Sequence, residues 1–205
     1  MKYRFTILFV FLALVLVPAF ATRLLPTPED RYHDWSGRPE AANAVAYREY
    51  LRGHGLDAVI PAPALLRSAR DWRRCGASEF AVPPREQWPH MLPTLRVVRQ
   101  LQADGLMDAG RMASGYRDAT LNRCAGGSSR SRHASNNALD FDLPESPDNV
   151  RRLCDYWRKQ GPALKLGLGF YTNTRIHLDT SGFRTWGSDH TWRTSLCRKS
   201  PTGVP

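Results

Sequence analysis

Two short stretches, Ala138–Leu143 (ALDFDL) and Arg175–Thr180 (RIHLDT), alternate apolar and polar residues with a period of two. As strands, the first turns Leu139, Phe141 and Leu143 to one face and Ala138, Asp140 and Asp142 to the other. In the second, Ile176 and Leu178 go to the core while Arg175, His177 and Asp179 share the opposite face. Two carboxylates on one strand face repel each other unless positive charge lies near them. His133 stands seven residues before Asp140, beside a Ser/Arg/Gly loop at 126–132. A histidine, an aspartate and a second histidine are a sufficient protein ligand set for a catalytic zinc, with water in the fourth position. Zinc lowers the pKa of that water to about 7 and polarises a carbonyl, which is hydrolytic chemistry. The same residues also suit a His–Asp surface pair and a histidine at a sheet edge, and their spacing alone does not choose between these.

The elements that must position these residues read as an α+β domain, helices first and then a small sheet. Thr22–Glu40 is rich in Pro, Asp, Arg and Gly without clear periodicity, so it is expected as a linker or N-terminal arm. Ala41–Gly53 is a helix ending on a glycine, and Leu65–Arg74 a second, short one. The clearest helix is Met91–Asp104, where Leu92, Leu95, Val98 and Leu101 form an apolar stripe, Pro93 suits the first turn and Gly105 follows the end. Arg111–Arg117 is expected as a strand, Asp118–Arg123 as a short helix and Pro147–Gln160 as a longer one. Leu166–Tyr171 is then a strand joined by a short turn to Arg175–Thr180.

The chain has 205 residues, and its formal charge of +10 comes from 29 Lys and Arg against 19 Asp and Glu. Nucleic acid, an anionic membrane surface and an acidic polymer outside the cell are the partners this charge allows. Lys2 and Arg4, the apolar run Phe5–Val17 and the closing Pro18-Ala19-Phe20-Ala21 match a secretory signal peptide; the run is short for a permanent anchor, which is the competing reading. Cleavage after Ala21 is expected, giving an exported protein, periplasmic or secreted. Nucleic acid is then a poor partner and an anionic envelope polymer a better one. All four cysteines, Cys75, Cys124, Cys154 and Cys197, lie in the mature part, and an even count in an exported chain reads as two disulfides. Of the three pairings, Cys75–Cys124 with Cys154–Cys197 is preferred.

Ser131-Arg132-His133-Ala134-Ser135-Asn136-Asn137-Ala138-Leu139-Asp140 resembles the SxHxxGxAxD signature of the zinc D-Ala-D-Ala metallopeptidases. These are the bacterial D,D-carboxypeptidases, D,D-dipeptidases and murein endopeptidases that share a fold with the hedgehog signalling domain. Upstream, Ser114-Gly115-Tyr116-Arg117 is similar to the family's SGYR segment. Downstream, Ile176-His177-Leu178-Asp179 with Phe183-Arg184-Thr185-Trp186 is similar to the closing HxD…RxW block of the murein endopeptidase branch. The resemblance implies one zinc ion held by His133, Asp140 and His177. It also implies Arg117 as the group that holds a substrate carbonyl or carboxylate, and Ser131 as a residue lining the site. Asn136 replaces the signature glycine. Thr174 stands where many members carry a Glu or Asp general base, which leaves Asp179 as substitute base or as a group orienting a zinc-bound histidine.

The expected organisation is a signal peptide (1–21), an N-terminal linker or helical arm (22–60), a hedgehog/D,D-peptidase-like zinc domain with a small antiparallel sheet (61–198) and a tail (199–205). The expected function is cleavage of peptidoglycan stem peptides or cross-bridges next to D-amino acids, by a monomer that meets a membrane only through its signal peptide. The competing reading is a non-catalytic module that keeps the fold and binds cell-wall peptide; Thr174 favours it. A secreted zinc nuclease explains the basic charge but not the three ordered blocks.

Overall fold

The computed structural model describes residues 25–144, 146 and 148–198. The expected signal peptide and the tail lie outside them. Two compact units are present, one ending at Arg38 and one starting at Pro39. The first contains helix α1 (Pro28–Ser36), which the lack of apolar periodicity concealed. Its start is written in polar residues: the Thr27 side chain accepts from the Asp30 amide while the Asp30 carboxylate accepts from the Thr27 amide, a reciprocal cap.

The second unit carries helices α2 (Ala44–Gly53), α3 (Ala62–Leu65), α4 (Trp88–Ala103), α5 (Ala119–Cys124) and α6 (Asn149–Leu164). Residues 39–60, assigned from sequence to the arm, fold with this unit. Helix α4 begins three residues before the expected start. Pro89 therefore occupies the first turn and Pro93 lies inside the helix. The apolar stripe is buried as its spacing requires, with Leu95, Val98 and Leu101 fully inaccessible. Asp118 caps α5, its carboxylate accepting from the Thr120 and Leu121 amides at 2.8 Å each.

The expected helix over Leu65–Arg74 is corrected: α3 stops at Leu65, the chain runs extended at Arg67 and Ser68, and residues 70–76 form turns. Arg67 pairs with Phe80 in an isolated antiparallel bridge, and Ser68 gives its amide to the Glu79 carbonyl at 2.8 Å. Such long-range pairing overrides local helix preference.

Five strands, β1 (Met112–Ser114), β2 (Ala138–Asp142), β3 (Gly167–Phe170), β4 (Arg175–Asp179) and β5 (Arg184–Trp186), form one sheet in the order β1-β2-β4-β3-β5. The sheet is mixed rather than purely antiparallel, because β5 runs parallel to β3. Three residues are too few for β5 to show a period. Strand β1 is shorter than the expected Arg111–Arg117 because Gly115 turns its amide to the Arg67 and Ser68 carbonyls and Arg117 turns its own to the His133 carbonyl. Leu139, Phe141, Leu168, Ile176 and Leu178, all fully buried, make the core face, and α4 packs on β2. The opposite face is left for polar side chains.

Disulfides link Cys75 to Cys124 and Cys154 to Cys197. The first ties the turn after Arg74 to the end of α5; the second ties α6 to the turn Leu196–Arg198. Two disulfides point to an extracellular or periplasmic protein. Among the described residues no helix is long and apolar enough to cross a membrane.

Candidate metal centre

The register of β2 against β4 sets Asp140 directly opposite His177 and Asp142 opposite Arg175. Cross-strand neighbours on one face touch. Arg175 accordingly meets Asp142 at 3.2 Å, and Arg70 closes on the same carboxylate at 2.8 and 2.9 Å. His177 Nδ1 lies 3.0 Å from Asp140 Oδ1. His133 comes from the loop before β2, and its Nε2 lies 3.1 Å from both Asp140 Oδ1 and His177 Nδ1. All three residues are buried and form a candidate metal-holding group.

The outer nitrogens decide what this triangle can hold. His133 Nδ1 sits 2.8 Å from the Gly115 carbonyl, which can only accept, so Nδ1 carries the hydrogen and Nε2 presents a lone pair. His177 Nε2 sits 3.0 Å from the Asp179 carboxylate, which likewise accepts, so Nδ1 presents a lone pair in the neutral ring. Two nitrogen lone pairs and a carboxylate oxygen therefore converge on one place. Such an arrangement is stable only around a cation, and the donor set, two imidazoles and one carboxylate, is that of an open zinc site. The residues present fit a zinc ion.

The electrostatics agree. Burial lowers the pKa of His133, with Arg117 adding to the effect against the opposing pull of Asp140. For His177 burial also acts downward, but hydrogen bonds to Asp140 and Asp179 outweigh it and the net shift is upward. Burial works against ionised Asp140, yet His133 and His177 hold its carboxyl well below the usual range.

Asp179 is fully buried and lies on the far side of His177 from the other two candidate ligands. One oxygen accepts from His177 and from Arg184 Nη2 at 2.6 Å; the other accepts from the Ser181 amide at 2.8 Å and Arg184 Nη1 at 3.1 Å. Although burial opposes it, His177 and then Arg184 hold this carboxyl down at about 2. A carboxylate so occupied is shaped to orient the imidazole. Two glycines make room for it. A Cβ on Gly167 would lie 2.6 Å from Asp179 Oδ2 and 2.7 Å from Arg184 Nη1, and one on Gly169 would overlap the Trp186 indole. Trp186 in turn packs 5.1 Å from the His177 ring.

Around the triangle opens a cleft of about 800 Å³, within the range of ligand sites. Arg117 and Ser131 line it. Arg117 Nη2 stands 3.7 Å from Asp140 Oδ2, and its buried Nε has no hydrogen-bond partner. Asp118 is engaged in its cap and Asp142 with Arg70 and Arg175, so neither occupies the Arg117 guanidinium. Thr174 lies in the β3–β4 turn, its hydroxyl facing Thr172. The structure adds Tyr171, Arg184 and His190 to the cleft. Tyr171 could have been found from the sequence, because it continues the alternation of β3 on the face of His177. Arg184 is the arginine of the RxW block, which gave it no role; His190 carries no such signal.

A family model described as Peptidase M15 matches residues 66–179, more than half of the chain. No curated protein and no solved structure matches it.

Proposed function

The chain belongs to the zinc D-Ala-D-Ala peptidase family M15, and we propose that it is an exported zinc peptidase that cleaves peptidoglycan stem peptides or cross-bridges next to D-amino acids. The observation that carries this reading is the convergence of the His133, His177 and Asp140 lone pairs at the floor of an open cleft. His133, Asp140 and His177 would hold the ion. Zinc supplies a Lewis acid that polarises an amide carbonyl and makes water more acidic.

The remaining work belongs to side chains. Gly115 and Asp179 fix the two imidazoles in the tautomers that face inward. Arg117, with an unengaged buried N–H, binds a substrate carbonyl or terminal carboxylate; a guanidinium suits the latter through two parallel hydrogen bonds. Asp179 is the orienting group rather than the base, since Arg184 and His177 occupy both of its oxygens. The cleft rim adds Arg130 and Arg132, which suits the anionic wall polymer.

Digestion of purified muropeptides by the zinc-loaded mature protein, read by mass spectrometry, tests the proposal. Release of D-alanine identifies a carboxypeptidase, and loss of cross-linked dimers an endopeptidase. Zinc-loaded protein that binds muropeptides and cuts none of them replaces the peptidase reading with that of a wall-binding module.

A further inference from the structure

The residue that follows strand β3, Tyr171, is one that the ligand set does not use. Leu168 and Phe170 point into the core, at most 2% exposed, so Gly169 and the next odd residue, Tyr171, belong to the face that carries His177. The Tyr171 amide donates to the Arg175 carbonyl at 2.9 Å, which extends the β3–β4 pairing one residue and fixes where the side chain leaves the backbone. Its ring stands edge-on to two imidazoles, 6.4 Å from His177 and 6.2 Å from His190. The hydroxyl end reaches the cleft and interacts with both the Arg117 guanidinium and the Asp140 carboxylate. Asp140 turns Oδ1 to the histidines and Oδ2 to Arg117. Two hydrogen-bond donors, a phenol and a guanidinium, thus stand together beside the triangle.

We propose that Tyr171 is a further catalytic residue of this site, its hydroxyl donating, together with Arg117, to the carbonyl oxygen of the scissile amide as that oxygen gains charge. The inference rests on the peptidase reading above. An amide oxygen is a modest acceptor, whereas the tetrahedral oxyanion is a charged one, and hydrogen bonds to charged acceptors are about twice as strong. A donor held in advance by its backbone and by two flanking rings therefore favours the transition state over the bound substrate. Tyr171 keeps its own proton throughout. Water oxygen adds to the carbonyl carbon, the C–N bond breaks, and both water protons end on the departing nitrogen, leaving a carboxylate and an ammonium group.

A purely structural role, in which the hydroxyl only steadies Asp140, predicts something different, and Tyr171→Phe separates the two. The substitution keeps the ring and removes one O–H. Four quantities are measured on zinc-loaded wild type and variant: zinc affinity by chelator competition, the melting temperature, kcat and KM on a muropeptide, and affinities for a phosphinate dipeptide analogue and for the product peptide. The phosphinate carries a tetrahedral anion at the reacting position. The expected result is unchanged zinc affinity, melting temperature and product affinity, with kcat and phosphinate affinity both down by roughly 100-fold, as for loss of one oxyanion donor. Unchanged phosphinate affinity overturns the inference. Zinc affinity that falls in step with activity also overturns it, because the hydroxyl would then act only through Asp140. Wild-type protein that neither binds the phosphinate nor cuts peptide overturns the peptidase reading and this inference together; active wild type matched by Tyr171→Phe overturns the inference alone.

Discussion

Replacing Asp179 by asparagine removes one charge and almost no volume, so it isolates what the carboxylate does for His177. Both oxygens of Asp179 only accept, one from His177 and Arg184, the other from the Ser181 amide and Arg184. An asparagine side chain must turn its NH₂ toward one of these donor pairs, and every orientation sets N–H against N–H. The size of the effect follows from the titration: the carboxyl ionises at about 2 in place of the ordinary 3.8. At about 1.4 kcal/mol per pH unit, its charged contacts, net of the cost of burial, are worth about 2–3 kcal/mol. Arg184 is 38% exposed and regains water when its partner goes, which holds the loss near that figure.

Two readouts follow. The metal-free variant is destabilised by about 2–3 kcal/mol at neutral pH in urea unfolding. A depressed carboxyl stabilises the fold above its unfolded pKa, and that contribution disappears as pH falls. The difference between wild type and variant is therefore full above pH 3.8 and lost as pH falls through about 2. Zinc affinity, measured by chelator competition at neutral pH, drops by roughly 10–100-fold, as when the partner of a metal-bound histidine is lost. An Asp179→Asn protein that binds zinc as tightly as wild type while losing activity would refute the orienting role and return Asp179 to the position of general base.

Alanine at Gly169 forces its Cβ into the Trp186 indole, which lies against His177; a loss of about 1–3 kcal/mol in thermal unfolding is expected, together with weaker zinc binding. Substituting alanine for both Cys154 and Cys197 opens a bridge whose ends are separated by 43 residues. Loop-closure entropy then gives a loss of about 4 kcal/mol, read in denaturant unfolding under oxidising conditions. Asn136 holds a left-handed backbone at φ 51° and gives its side-chain N–H to the Gln87 carbonyl at 3.0 Å. Asn136→Gly keeps the backbone and loses the bond, about 1 kcal/mol. Asn136→Val loses both, about 2–3 kcal/mol in all, so the melting temperatures fall in the order Asn, Gly, Val.

The period of two in ALDFDL and RIHLDT placed Asp140, His177 and Asp179 on their faces because strand alternation is a local property. Which residue would stand opposite which was not legible: the Asp140–His177 pairing depends on register, set by contacts between distant strands. Helix α4 is visible in its apolar stripe, but the stripe does not fix its start, because either Pro89 or Pro93 can occupy a first turn. The segment after Leu65 has a helical composition, yet Arg67 and Ser68 run extended and turns follow, since their partners, residues 78–80 and Gly115, lie outside any local window. The metal site was legible as residue types in order. The Gly115 carbonyl that sets the His133 tautomer was not, and Arg184 was visible only as the arginine of the RxW block: that it locks Asp179 depends on a backbone path that no pattern encodes.

Three inward-facing lone pairs suit this cleft to a zinc ion. Metal content of the purified mature protein, wild type beside His133→Ala, checks this, with unfolding curves showing that both are folded. The expected result is one zinc per wild-type chain and none in the variant. A folded, disulfide-bonded wild-type protein that takes up no metal when offered zinc would contradict it, and the proposed peptidase chemistry would fall with it.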